Sequence, residues 1–389
     1  MRAVQLSIAW LVTRIWVLLS GFGFVFYPGA SALFSDVQLY DSWAANLTYS
    51  YFILLEQDPR WQYPPLAAAV FLLGYLIAEK TVGFVFLALV ADLLIFILLT
   101  KRSKQESNIL PVLIWVATPV LMGPIILGRF DVFPTLAAVI ALLYINSSKK
   151  FGAAIAIGSL LKVWPMLLLL ATPSSKFARV AIWFAATFAI GSLLLNLWWN
   201  GNSFSFLGGQ RSRGLQIESV GALPYQIWNA GPESVASAVQ FGTIEVVAPG
   251  TGTASLVVTL IGLALISALV FWRVTGRLAN AEPGDIALTA VLVSILTSRV
   301  LSPQYMVWVF GLLAFSAFRP QQNFRKILIL ISISAALGQL IYPYWYESFI
   351  EGERLVVTAH AIRILSLIWA TVIMWRNLRS QVELNLKKL

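Results

Sequence analysis

An all-α polytopic membrane protein is the fold class this sequence predicts, and three observations predict it. First, 59% of the 389 residues are hydrophobic and only 11% are charged, against roughly 45–50% and about 25% in soluble domains. Second, apolar runs recur along the whole chain, several of them near the roughly 20 residues a helix needs to cross a bilayer. Third, the net charge of +10 is unevenly spread, as expected where Lys and Arg gather in cytoplasmic loops. This composition excludes a disordered chain, a soluble nucleic-acid binder and an ordinary cytosolic enzyme. Cysteine is absent and His360 is the single histidine. Disulfides, thiolate nucleophiles, Cys-ligated clusters and a His-rich metal site are therefore excluded too.

Taken in order, the run 5–27 reads as a first span carrying Arg14 within it. Ala30-Ser31-Ala32 behind it has the small residues of a signal-peptidase site, but the internal charge and the length of the run favour an uncleaved span. The run 66–100 is too long for one straight crossing and is broken at Glu79-Lys80. It reads as an interfacial helix followed by one span, with two short spans as the alternative. The runs 109–127 and 131–146 follow. The segments 151–161 and 164–173 are each too short alone. They predict a broken pair meeting at Lys162-Val163-Trp164-Pro165, where non-helical backbone must be buried in protein or line a wet cavity. The last runs are 177–199, 254–275, 285–299, 303–318, 325–342 and 357–376. With the N-terminus inside, the inner ends hold 17 of the 27 Lys and Arg and the outer ends 7. That split predicts about twelve transmembrane helices, both termini cytoplasmic, and one integral-membrane domain over 1–389 with long outer loops at 28–65 and 200–252.

The chemistry collects on the outer side. Eleven of the seventeen acids fall there, most of them in the two long loops. Four charges sit where a solvated loop explains them poorly: Arg129 and Asp131 in Gly128-Arg129-Phe130-Asp131, Lys162 in the broken pair, and Arg299 in the tight turn before Leu301-Ser302-Pro303-Gln304-Tyr305. Charges at membrane depth are costly and are usually paired or functional. Three cations at the rim of a bundle suit a phosphate at the membrane surface. Snorkelling to lipid headgroups is the competing reading, and Asp131 could equally pair with Arg129. In the first outer loop Asp36, Tyr40 and Trp43 have the spacing of one helix face, and Tyr63-Pro64-Pro65-Leu66 sets a rigid entry into the next helix. A carboxylate on a fixed element beside aromatic rings suits sugar binding and general-base work. Asp41, about one turn on, is the alternative base. In the second outer loop Arg211, Arg213 and Glu218 are candidate ligands, Tyr225 and Trp228 could stack on a sugar, and Trp198-Trp199 read as interfacial anchors. His360 could touch substrate or serve as a structural hydrogen-bonding residue. The sequence offers no obvious metal cluster.

These segments, in this order, resemble the GT-C superfamily of polyprenyl-phosphate-sugar-dependent glycosyltransferases. Within it they resemble glycosyltransferase family 87, the actinobacterial group that includes phosphatidylinositol-mannoside mannosyltransferases. The likeness rests on Asp36 to Ala44, Tyr63-Pro64-Pro65-Leu66, Gly128-Arg129-Phe130-Asp131, Lys162-Val163-Trp164-Pro165, Arg213 to Ser219 and Leu301 to Tyr305. Arg129 stands where the family more often has Gln, and Arg299 where Lys is commoner. The resemblance implies a GT-C fold with its active site at the outer membrane face and Asp36 as catalytic base. It implies a polyprenyl-phosphate sugar donor, most readily the mannose form with arabinose as the alternative, a lipid or glycolipid acceptor, and inversion at C1. The candidate substrate ligands are Tyr40, Asp41, Tyr63, Arg129, Asp131, Lys162, Arg211, Arg213, Glu218, Arg299, Gln304, Tyr305 and His360. No cofactor is implied beyond the lipid-linked donor as co-substrate; the partners are donor, acceptor and membrane lipids, with no nucleic acid. The rival classes are a transporter or flippase of lipid-linked sugars and a structural factor in cell-wall assembly.

Overall fold

A computed structural model describes residues 3–49, 52–78, 80–199, 203–211, 213–231 and 236–386. The chain is mostly helical. Among the described residues six helices are long and apolar enough to cross a membrane: Val4–Gly21, Thr81–Glu106, Ser174–Trp198, Thr251–Val274, Phe324–Tyr344 and Arg354–Glu383. Shorter apolar helices fill the space between them, among them Leu110–Ile126, Val132–Leu143, Pro283–Leu296 and Pro303–Ser316. Their side chains form one continuous core, which is why Pro283–Leu296 and Met306–Ser316 are buried on nearly every face.

The broken pair forms as its sequence requires. The helix Ser148–Leu161 stops at Lys162, whose backbone is extended (φ −158°, ψ 139°). A 3-10 helix then runs over Trp164–Ala171. Pro165 has no N–H with which to continue the ladder to Leu161, so the α-helix cannot run through. The long run before it also divides, into Pro65–Ile77 and Thr81–Glu106. The second of these has 26 residues and is about 39 Å long at 1.5 Å per residue. Its C-terminal end lies beside Ala317 and Phe318, whose carbonyls accept from Asn108 Nδ2. Its start is therefore back at the opposite end, so Pro65–Ile77 begins and ends on one side, as an interfacial helix does.

The helix ends sort into two groups. At one end Lys176 Nζ donates to the Asn146 carbonyl and Arg273 Nε to that of Leu170. At the other, the segments around Asp36, Gln62, Arg129, Lys162, Arg213 and Arg299 converge. Within the bundle Arg14 forms a two-pronged ion pair with Asp92 (2.7 and 2.9 Å), Trp10 Nε1 donates to the same carboxylate at 2.7 Å, and the remaining Arg14 donors reach the Trp115 and Val116 carbonyls. Both charges are buried and paired, the condition under which charge is tolerated in an apolar interior.

An expectation of helices alone needs one amendment. Ser237–Gln240 and Thr243–Val246 form an antiparallel hairpin. Phe241 (φ 51°) and Gly242 (φ 72°) are its two turn residues, and two positive φ values in succession are what a two-residue hairpin turn of the type I′ class demands. The hairpin is anchored by Val246 N–H to the Leu215 carbonyl (2.8 Å) and Ile217 N–H to the Ile244 carbonyl (2.9 Å). Leu215, Ile217 and Val246 make a second small core with Ile341, Phe349 and Val356, so this outer segment is folded onto the bundle.

Candidate active site

The helix Ser35–Thr48 carries Asp36 in its first turn, where a carboxylate faces the positive end of the helix dipole. Its buried stripe is Val37, Tyr40, Trp43, Ala44 and Leu47. Tyr40 stacks on Phe71 with ring centroids 4.3 Å apart, and its hydroxyl lies 2.9 Å from that of Tyr63. Trp43 Nε1 donates to Asp58 at 2.9 Å, and Asp58 also pairs with Arg60. Burial works to raise the Asp58 carboxyl, but the hydrogen bonds from Arg60 and Trp43 hold it below its ordinary value. An aromatic floor thus fixes the helix that presents Asp36.

Asp36 lies on the wall between two cavities. The first is lined by Asp36, Tyr63, Lys162, Arg213 and Tyr305, with Arg60 at its rim. The second is lined by Asp36, Arg129, Gln216, Glu218, Tyr342 and Tyr346. Asp36, Gly242, Thr243, Ser302 and Gln304 belong to both, so the hairpin tip and the Ser302–Gln304 turn complete the partition. The first cavity also shares Gln62, Lys162, Ser298 and Tyr305 with an apolar groove walled by Trp164, Leu167, Phe206, Leu207 and Trp308.

The cations of the first cavity are held differently. Lys162 Nζ is 2.7 Å from Asp131 Oδ1 and 4.8–5.7 Å from the ring centres of Trp308, Tyr305 and Tyr63. Its side chain is 19% exposed while that of Asp131 is fully buried. Arg213 donates to the Phe241 carbonyl at 3.4 Å, and among the described residues no carboxylate forms an ion pair with it. Burial pulls its guanidinium below the ordinary value. In the second cavity Glu218 is ion-paired with Arg363. Burial pushes the Glu218 carboxyl up and Arg363 opposes that shift.

Of the residues singled out in the sequence, Asp36, Tyr40, Tyr63, Lys162, Arg213, Gln304 and Tyr305 meet at the first cavity and Arg129 and Glu218 at the second. Others are elsewhere. Asp41 is five residues from Asp36, about 140° round the helix, and lines neither cavity. Asp131 pairs with Lys162 and not with Arg129, whose carboxylate partner is Asp36. Arg299 donates to the Arg213 carbonyl at 2.9 Å and so supports the loop beside the cavity without lining it. His360 is wholly buried in the last helix against Phe349, away from both cavities, and neither ring nitrogen has a hydrogen-bond partner among the described residues. The side chain of Arg211 lies outside the described residues. Trp228 is exposed and away from the cavities, and Trp199 is buried, donating to Glu56 at 2.8 Å, where an interfacial anchor was expected. The hairpin tip, Tyr342 and Tyr346 escaped the sequence reading, whereas Ser302 lies in the Leu301–Tyr305 motif. The alternating Thr243-Ile244-Glu245-Val246 after Phe241-Gly242 was a signal for the first of these; the two tyrosines carried none. Among the described residues no group of three or more His, Asp or Glu side chains stands together to hold a metal.

The family model of glycosyltransferase family 87 matches residues 61–303. Asp36, Tyr40 and Asp41 precede that stretch, and Gln304, Tyr305 and His360 follow it. No curated protein and no solved structure matches the chain. A match over more than half of the sequence, on a bundle with membrane-length helices, makes this protein a member of glycosyltransferase family 87.

Proposed function

We propose that this protein transfers a sugar, most readily mannose, from a polyprenyl-phosphate donor to the hydroxyl of a lipid or glycolipid acceptor at the outer face of the plasma membrane, with inversion at C1. The observation that carries this reading is the place of Asp36 between a cationic cavity and a second polar one. The adjoining apolar groove, reached past Lys162, suits an isoprenoid tail and favours a lipid-linked over a soluble donor. In this reading the donor phosphate lies against Lys162 and Arg213 and the acceptor enters the second cavity. Asp36 accepts the proton of the acceptor hydroxyl. The acceptor oxygen forms a bond to C1 as the bond from C1 to the phosphate oxygen breaks, through an oxocarbenium-like state. The electron pair leaves on the polyprenyl phosphate, whose added negative charge the fixed cations stabilise. The outer placement, the twelve crossings and the cytoplasmic termini rest on the charge split between the two groups of helix ends.

The test is transfer by the purified protein in lipid discs. Labelled polyprenyl-phosphate mannose should pass label to a glycolipid acceptor, with the arabinose donor as comparison. Asp36→Asn should lower the rate by a factor on the order of 10² to 10⁴ in protein that still folds. An active Asp36→Asn protein refutes the base assignment. No transfer from any polyprenyl-phosphate sugar refutes the donor class.

A further inference from the structure

We propose that Arg129 is the positioning residue of the base: it fixes one oxygen of Asp36 and leaves the other to take the acceptor proton. This inference rests on the reading of Asp36 as base. A guanidinium has five N–H donors: the four on the terminal nitrogens of Arg129 are hydrogen-bonded, and Nε is taken up in the ion pair with Asp36. Nε faces Asp36 Oδ2 at 3.0 Å. One terminal nitrogen donates to the carbonyls of Leu33 and Gly128, the other to the Tyr342 hydroxyl at 2.9 Å and the Ala32 carbonyl at 3.5 Å. The Tyr342 hydroxyl itself donates to the Ala32 carbonyl at 3.1 Å, and the guanidinium lies 5.9 Å from that ring's centre.

Two consequences follow. Arg129 has no donor left for a substrate phosphate, although its charge and its place at the rim suggested that role. Three of its partners, Ala32, Leu33 and Asp36, lie on the segment that presents the base, so Arg129 holds the start of that helix and the carboxylate as one unit. Its side chain is 4% exposed while that of Asp36 is 38% exposed. Among the described residues no hydrogen bond reaches Asp36 Oδ1, which leaves that oxygen available at the partition between the cavities.

The experiment compares Arg129→Gln and Arg129→Lys with the parent protein in lipid discs. Its readouts are donor KM and kcat. Arg129→Gln should lower kcat by about tenfold or more and leave donor KM within about twofold. Arg129→Lys, which keeps the charge, should recover part of kcat. Should the Gln variant not fold, the Lys variant still decides, because loss of the fork with retention of charge should lower kcat without raising donor KM. A raised donor KM with unchanged kcat overturns the proposal in favour of a phosphate ligand. Unchanged kcat and donor KM overturn it outright. An active Asp36→Asn protein defeats the base assignment itself; an unchanged kcat in Arg129→Gln beside an inactive Asp36→Asn defeats this inference alone.

Discussion

Replacing Lys162 with Met removes one partner of a 2.7 Å ion pair and leaves Asp131, which is fully buried, without its counter-charge. Breaking a buried pair in this way costs about 3–5 kcal/mol, because the remaining charge is stranded. The cation also gives up the faces of Tyr63, Tyr305 and Trp308, contacts of roughly 0.5–2 kcal/mol together. Lys162→Met should therefore destabilise the fold by about 3–5 kcal/mol and abolish transfer. The two losses have different origins. Lys162→Met combined with Asp131→Leu removes both charges, and replacing a buried pair by apolar groups of similar size is often neutral. The double variant should recover most of the stability and none of the transfer, since on the proposed mechanism the donor phosphate would still lack its cation. Unfolding in detergent by heat or denaturant and transfer of labelled donor, measured on both single variants and on the double, separate the terms. Recovery of activity together with stability would show Lys162 to be structural only. A stable Lys162→Met protein would sink the counter-charge argument.

Two further outcomes follow from other parts of the structure. Asp92→Asn leaves the Arg14 guanidinium buried with two carbonyls, the Thr13 hydroxyl and one amide but no counter-charge; it should cost about 3–5 kcal/mol while folded protein keeps its kcat, and a loss of kcat with unchanged unfolding would refute the structural role. The Asp58 carboxyl is held below its ordinary value, so its contribution is complete above the unfolded pKa of about 3.9 and is lost as pH falls through the folded value. Asp58→Asn should melt lower than the parent at neutral pH and respond less to acid, and parallel melting curves against pH for the two proteins would contradict this.

The membrane class, the helix breaks at Lys162 and near Lys80, and the segments that meet at Asp36 were legible because each has a local cause: an apolar run, a missing N–H at Pro165, a charge with no loop to hold it. The residue pairings were not. Arg129 and Asp131 are neighbours in sequence, yet each pairs across the fold, with Asp36 and Lys162. Asp92 sits among ten or more apolar neighbours in a helix and drew no notice, although Arg14 needed an acid somewhere within the membrane.

By itself the sequence determined a polytopic bundle with its chemistry at one end, because hydrophobicity and charge position act along the chain and can be read residue by residue. Only the tertiary structure decided which charge meets which, that Asp41, Arg299 and His360 stand apart from the cavities, and that a β-hairpin and two tyrosines from the 342–346 turn complete the walls around Asp36. Ion pairing and cavity shape depend on distances between segments up to some 300 residues apart, such as Tyr342 and Ala32, and no local pattern encodes those distances.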